Sequence, residues 1–337
     1  MKRHLSHNTL LLATLDLGES LGLQRGDILD EIKLDESLAA RPGAFVPVAA
    51  VINAIEYAAA RTQRTDFGLQ IADRRDHYNL GLFGLLVEQC DSVAEVHEYG
   101  DRFFKLRNDA IEFRLARERS RGVMRLHIDI HADYEPRHYV DALLALYVRT
   151  MSVVLGPRWR PAAVHFRHSQ LASRSAYERR FGLGIKFGQK FDGVVLQLGD
   201  LDRQSVQRER NEETKLKLET LLRDSADGDG RELPVRVSRL VQMLLRSNGA
   251  SIGRVAGILN TSSRSLQRRL LQSGTSFGRI LVQTRAAMAR HYLRKGDVTV
   301  VKLAPLLGFS DASAASRFLR THVGKTANEL KRESATS

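Results

Sequence analysis

The chain has 337 residues, a single cysteine and a formal net charge of +13. Its length exceeds one ordinary core and predicts two domains, and the lone Cys90 excludes an internal disulfide framework and suits a reducing compartment. The early apolar run Leu10–Leu15 is too short to cross a bilayer, and Asp16 and Glu19 follow it with no small-residue cleavage site, so a cytoplasmic protein is expected rather than an exported one.

Residues 1–204 read as an α+β domain. Pro47–Arg61 is Ala-rich and helical in composition. Asp91–Leu106 opens on a capping-type residue and sets Val93, Val96, Tyr99, Phe103 and Leu106 at helical spacing. Alternation predicts a strand through Ile111, Phe113 and Leu115 and another through Met124, Leu126, Ile128 and Ile130, with Gly122 as the hairpin turn between them. Arg137–Leu155 returns to helix, and short strands follow at Val164–Phe166, Ile185–Phe187 and Val194–Leu198. Ser205–Arg223 predicts a charged helix whose seam of Leu216, Leu218, Leu221 and Leu222 reads either as a dimer contact or as packing onto the preceding core. Ser225–Gly230 (SADGDG) has the composition of a flexible joint, so 205–231 is read as a helical linker and joint between two domains.

From 232 to 334 the pattern is all-α. Val237, Leu240, Val241, Leu244 and Leu245 form the inward stripe of a helix that begins near Pro234 and stops at Gly249. A motif then occurs twice. Ser251–Leu270 pairs Ala256 and Leu259 with Ala304 and Leu307 of Thr299–Leu319 at an offset of 48, and beyond the turn Arg268 and Leu270 pair with Arg317 and Leu319 at 49. Each copy is an apolar-periodic segment, a tight turn (Asn260-Thr261, Gly308-Phe309) and a second helical segment with Ser, Gln or Arg, the outline of a helix-turn-helix. Ser251 and Thr299 serve as caps, with Ile252, Val255, Ala256 and Leu259 buried in the first copy and Val300, Leu303, Ala304 and Leu307 in the second. The first reading helix starts at Ser262 and buries Leu266 and Leu270. It turns out Ser263, Arg264, Gln267 and Arg268, while Arg269 points aside, toward phosphate. The second shows Ala312, Ser313, Ser316 and Arg317, mostly small groups suited to positioning rather than to base discrimination. Phe277–Arg294 joins the two as a helix of 18 residues closed by Gly296, roughly 27 Å long at about 1.5 Å per residue.

Charge follows the motif. From Arg231 onward there are 19 Lys and Arg against five Asp and Glu, whereas the first 230 residues hold 33 against 34. The whole positive excess therefore coincides with the doubled motif, and phosphate neutralisation is the joint reading.

The run LNTSSRSLQRRLLQSGTSFGRILVQTRAAMARHYL followed by LAPLLGFSDASAASRFLRTHVGKTANEL resembles the C-terminal domain of AraC/XylS-family bacterial transcription regulators over about 85 residues. The resemblance puts base contacts on Arg264, Gln267 and Arg268 and on Ala312, Ser313 and Arg317, and Ser262, Ser263, Arg269, Ser316 and Arg320 complete the expected DNA-binding set. Ala315 stands where the family usually has a large apolar residue and Ala327 where proline is frequent, although Thr326 and Glu329 keep a capping box; Pro305 falls inside a short helix. Gly81–Leu106, Arg158–His168 and Tyr177–Leu196 are similar to the arabinose-binding-like sensor domain of ornithine-utilisation and virulence-type members, covering nearly all of 20–200. What this implies is a regulator, more often an activator in this family, that binds promoter DNA and RNA polymerase, responds to a small-molecule effector of unassigned identity and site, and can form a homodimer.

Other chemistry is weaker. His127, His131, His138, His165 and His168 lack acid or Cys partners at ligand spacing, so ordinary histidines are expected and no metal. Cys90 follows an apolar helix and reads as a buried thiol, with redox sensing as the remote alternative. Gly81-Leu-Phe-Gly84 and Gly182-Leu-Gly184 read as turns, and Arg114–Arg125 as hairpin surface with an anionic effector contact as the lesser option. No nucleophile, base and oxyanion grouping occurs, so no enzyme and no cofactor are expected. A DNA-acting enzyme would need an acidic metal cluster, and an architectural DNA binder with a purely dimerising front domain is the other alternative.

Overall fold

The computed structural model describes residues 4–40, 44–75, 77–118, 120–130, 132–207, 210–226, 233–246, 250–259, 261–294, 298–327 and 329–330. The chain divides into two compact units, Met1–Asp227 and Gly228–Ser337. His131, Gly249, Asn260, Gly296 and the 227–230 part of the expected joint lie outside the described residues.

In the first unit a short antiparallel ribbon pairs β1 (Leu5–His7) with β2 (Phe45–Pro47) around α1 (Thr9–Ser20), α2 (Arg25–Glu31) and α3 (Glu36–Ala40). Next come α4 (Val48–Thr62), α5 (Phe67–Asp73), a 3-10 turn His77–Leu80, α6 (Leu82–Gln89) and α7 (Val93–Phe103). The start of α7 is fixed by Ser92 rather than Asp91: the Ser92 side chain accepts the Glu95 N–H at 3.2 Å, and the Glu95 carboxylate accepts the Asp91 N–H at 2.6 Å.

Strands β3 (Ile111–Glu118) and β4 (Arg121–Ile128) form the hairpin. Gly122 is not its turn. It pairs with Arg117 inside the ladder, one step before the terminal Glu118–Arg121 pair. A Cβ on Gly122 would lie 2.9 Å from Leu201 Cδ2, so the glycine serves close packing. Ile130 falls beyond the strand. The long helix α8 (Arg137–Leu155) then leads to β5 (Ala163–His165), α9 (Arg174–Phe181), β6 (Ile185–Lys186), β7 (Asp192–Gln197) and the one-turn α10 (Leu198–Leu201). These strands make a five-stranded sheet in the order β3-β4-β7-β5-β6, antiparallel except for β5 beside β6.

Helix α8 is apolar and long enough to span a membrane by length and composition, but most of it is buried. It packs on α4, α5, α6, α9 and β7. At the α5 crossing a Cβ on Gly68 would sit 2.0 Å from the His138 carbonyl oxygen, so only glycine permits that approach.

The charged helix begins at Glu212, not Ser205: α11 spans Glu212–Ala226, its first turn secured by the Asn211 side chain accepting the Thr214 N–H at 3.0 Å. Residues ahead of it are spent on the core, with Val206 N–H donating to the Val154 carbonyl. Leu218 and Leu222 are buried where α11 lies along α6, while Leu216 faces out.

The described residues of the second unit contain helices only: α12 (Leu233–Arg246), α13 (Ile252–Ile258), α14 (Ser263–Gln272), α15 (Phe277–Arg294), α16 (Val300–Leu306) and α17 (Ala312–Phe318), the last running into a π-helical turn, Leu319–Val323. Val237, Leu240, Val241, Leu244 and Leu245 of α12 are all buried and face α13, α15 and α16.

Candidate functional site

The repeat in the sequence is a repeat of hydrogen bonds. Ser251 and Thr299 each cap a first helix by accepting an N–H three residues on, from Arg254 and Lys302. Thr261 N–H returns to the Ala256 carbonyl at 2.8 Å, as Phe309 N–H does to Ala304 at 2.9 Å, so both turns close on the paired alanines. Ala256 and Ala304 are each 2% exposed, small because two helices meet there. Beyond the turn Ser262 accepts the Ser265 N–H and Asp311 the Ala314 N–H, at 3.1 and 2.8 Å. Those caps are 49 apart, so the extra residue lies in the second turn, where Gly308 holds φ +69°. Asp311, absent from the sequence expectation, was legible as an acid directly ahead of a helical segment. Its carboxyl is held below the usual range by the Ala314 N–H it accepts.

On α14, Leu266 and Leu270 are fully buried against α13 while Arg264, Gln267 and Arg268 are exposed together. Ser262 is the exposed cap, Ser263 opens the helix half-buried, and Arg269 is half-buried. On the second unit Ser313 and Arg317 are exposed, Ala312 and Ser316 half-buried, and Arg320 is exposed on the π turn. Ala315 is fully buried. Apolar volume nearby comes from Phe318, whose ring lies 5.3 Å from that of Phe309.

Arg285 of α15 secures this turn. Its guanidinium donates to the Leu307 and Gly308 carbonyls at 2.9 and 3.3 Å and lies 4.4 Å over the Phe309 ring, which closes the C-terminal end of α16 despite Pro305 within it. Glu329 receives the Thr326 N–H at 2.6 Å in the expected capping box. Ala327 is buried without needing a proline.

The first unit encloses a cavity of about 400 Å³ between β1, α1, α6, α7, β3 and α8. One side is a chain of rings: Phe83 to Phe104 at 6.3 Å, Phe104 to Phe113 at 5.3 Å and Phe113 to Tyr147 at 5.7 Å. His97 lies behind it, its Nε2 2.7 Å from the Tyr147 hydroxyl, with burial pulling its pKa to about 4 and keeping the ring neutral. Arg75 and Arg107 face the other side. Burial, then the neighbouring Arg75, lowers Arg107 to about 9. No local pattern marks these residues, which come from positions 6 to 151. Among the described residues of Arg114–Arg125, Arg114 alone reaches the cavity; Arg117 pairs with Asp202 and Arg125 with Glu118.

Helix α7 has two working sides. Val96, His97, Gly100 and Asp101 line the cavity, while Glu95 binds Lys215 and Tyr99 donates to Glu219, both on α11. His168 acts structurally: its Nε2 stands 3.3 Å from the buried Asp141 carboxylate, which also accepts the Tyr177 hydroxyl at 2.8 Å. No metal-ligand cluster occurs among the described residues. Cys90 is buried, donates to the Leu86 carbonyl and has its thiol pKa pushed up by burial. Gly81 and Gly182 take positive φ at helix ends, as turns.

Comparison with known proteins agrees with both units. HTH-type transcriptional regulator VirS of Mycobacterium tuberculosis is 25% identical over 96% of this chain and 95% of its own. The ornithine utilization regulator of Pseudomonas aeruginosa is 22% identical over 95% and 94%. The crystal structure of transcriptional regulator CdpR from Pseudomonas aeruginosa aligns with 91% of this chain and 96% of that one at 18% identity and a TM-score of 0.42. A helix-turn-helix domain model matches residues 255–333. The model of the arabinose-binding N-terminal domain of AraC transcription regulators matches 22–205, more than half of the chain, which belongs to the AraC family of transcription regulators.

Proposed function

We propose that this chain is a promoter-specific transcription regulator, an activator, whose second unit reads two successive major grooves and whose first unit senses a small effector in the Phe83–Tyr147 cavity. The observation that carries it is the duplicated cap-and-turn geometry, which buries Leu266 and Leu270 while leaving Arg264, Gln267 and Arg268 exposed on one helix. In this reading Arg264 and Arg268 take guanine edges and Gln267 adenine. Ser262, Ser263 and Arg269 hold phosphate. Ala312, Ser313, Ser316, Arg317 and Arg320 seat the second helix with less discrimination. The relatives' names support regulation, and one, transcriptional activator NphR of Rhodococcus, is 28% identical over 115 residues, which favours activation; contact with RNA polymerase is part of the same proposal. The proposed division is a sensor over 1–204, a connection over 205–231 that includes α11, and a DNA-binding domain over 232–334. A homodimer through the sensor and a cytoplasmic, nucleoid-associated location complete the proposal.

Gel shifts on the chain's own promoter site test it. Arg264→Ala and Gln267→Ala each lose about 1–3 kcal/mol on the specific site and little on a scrambled one. Equal weakening on both refutes base reading by α14.

A further inference from the structure

We infer that the sensor cavity takes an aromatic molecule carrying an N–H or O–H donor, its ring along Phe83, Phe104 and Phe113 and its donor on the Tyr147 hydroxyl oxygen. This rests on reading the cavity as the effector site and adds the chemical class.

The donor follows from the α8 wall. Leu143, Leu146, Tyr147, Thr150 and Met151 line the cavity at spacings of three and four, one stripe of the helix. Two of them carry hydroxyls and are almost fully buried, Tyr147 at 6% and Thr150 at 7% exposure. Polar atoms buried that deeply find partners within the protein or in a ligand. Thr150 gives its proton to the Leu146 carbonyl at 2.8 Å. The Tyr147 hydroxyl lies 2.7 Å from His97 Nε2, and the imidazole decides which of the two donates. Burial keeps His97 neutral, so its ring has one donor and one acceptor. Its other hydrogen bond is to the Phe113 backbone carbonyl, which only accepts, so the ring proton sits on Nδ1 and Nε2 receives the Tyr147 proton. Burial also holds that phenol in its protonated form. Both hydroxyl protons are therefore spent inside the protein, and these two side chains have only oxygen lone pairs left for a ligand.

The body follows from the rings. Phe83, Phe104 and Phe113 meet edge to face, and Phe113 then stacks on Tyr147 at an interplanar angle of 21°. A flat ligand extends that series and has few rotors to freeze. A molecule with acceptors alone would set its lone pairs against the Tyr147 oxygen and leave both unsatisfied. A sugar would match one hydroxyl there and bring several more against Leu143, Leu146, Met151 and the rings.

Calorimetric titration of the full-length protein with indole, benzofuran and L-arabinose tests the inference. Indole and benzofuran share a shape and differ in having a ring N–H or a ring oxygen. Indole is expected to bind about three- to tenfold more tightly than benzofuran, and arabinose more weakly than either. Two variants are first checked for wild-type thermal unfolding. Tyr147→Phe should bring indole down to the benzofuran affinity without weakening benzofuran. Gly100→Leu should abolish both, because the first atom a new Cβ meets there is Phe83 Cζ at 3.8 Å, leaving the side chain room to enter the cavity that Gly100 lines. Equal affinities for the two ring compounds, a preference that survives Tyr147→Phe, arabinose binding as tightly, or no indole binding overturns the class. Indole binding unaffected by Gly100→Leu overturns it as well. The effector role is measured separately, by gel shift on the promoter site with each ring compound at saturation. The expected preference with unchanged promoter affinity keeps the ligand class and removes the effector role. A promoter shift that Gly100→Leu abolishes, without any preference for indole, does the reverse.

Discussion

Glu56 lies on α4 with its carboxyl buried at the first turn of α8, where Oε1 accepts the Tyr139 N–H at 2.9 Å. It satisfies a helix end that would otherwise bury unpaired donors. Burial outweighs that bond and the nearby Arg137, and the carboxyl is raised from 4.5 to about 7. A group raised in the folded state binds its proton more tightly there than in the unfolded chain. Its stabilisation is therefore complete below pH 4.5 and lost as pH rises through 7. Glu56→Gln keeps an acceptor and cannot ionise. The variant should melt near wild type at pH 5 and above it at pH 8. A Tm difference that does not change with pH would remove Glu56 from the account. Gly68 makes a sterner demand, because the atom facing a new Cβ at 2.0 Å is the His138 backbone carbonyl rather than a movable side chain. Gly68→Ala should cost at least the ~1–3 kcal/mol of an overpacked core, measured by denaturant midpoint at unchanged slope.

At the scale of elements, what could be read in the sequence was what local rules encode. Helix α8 begins and ends at the residues its apolar pattern marks, and the offset change from 48 to 49 is the extra turn residue before Asp311. Gly122 misled because a glycine between two strands is usually a turn, whereas here Leu201, far along the chain, needs the space of the missing side chain. The start of α11 was misplaced for a similar reason: Val206 and Arg210 are held by Val154 and Asp91, contacts with no local signal. The exposed face of Arg264, Gln267 and Arg268 was legible because one helix carries it, and the cavity was not, because six elements share it.

Arg285 was also silent. Its role depends on α15 passing the Leu307 and Gly308 carbonyls, and removal leaves a helix end uncapped. Arg285→Ala should cost roughly 1.5–3 kcal/mol, the range for hydrogen bonds made by a charged donor. Because α14 does not depend on that contact, footprinting should lose protection over the second half-site first. Simultaneous loss of both halves would refute a local role. Lys215 belongs to the other unit and is nearly buried between α7 and α11, paired with Glu95 and Asp91. Since α7 faces the cavity on its opposite side, Lys215→Met should reduce the effector's influence on DNA affinity more than effector affinity itself, which reciprocal titrations measure as a smaller coupling free energy. An unchanged coupling would place the route elsewhere.

Across the whole molecule, charge and span set how DNA is engaged. The balanced first unit gives little reason for DNA attraction, and the basic second unit supplies it. Its helices α14 and α17, the proposed readers, belong to one compact unit joined by α15, whose 18 residues extend roughly 27 Å against a groove repeat of about 34 Å. A rigid strut of that length fixes both distance and rotational phase. Inserting five base pairs between the half-sites turns the second groove to the far side of the duplex. Inserting ten restores the phase but carries the groove another ~34 Å away, beyond the reach of the helix. Both insertions should therefore reduce affinity to that of the first half-site alone. Recovery at ten base pairs would mean that the readers move independently, as they would on a tether or in two separate copies of the chain. The salt slope distinguishes those cases: a single seated unit loses about 0.9 in slope for every phosphate contact its partner forfeits, so both insertions should flatten the slope equally.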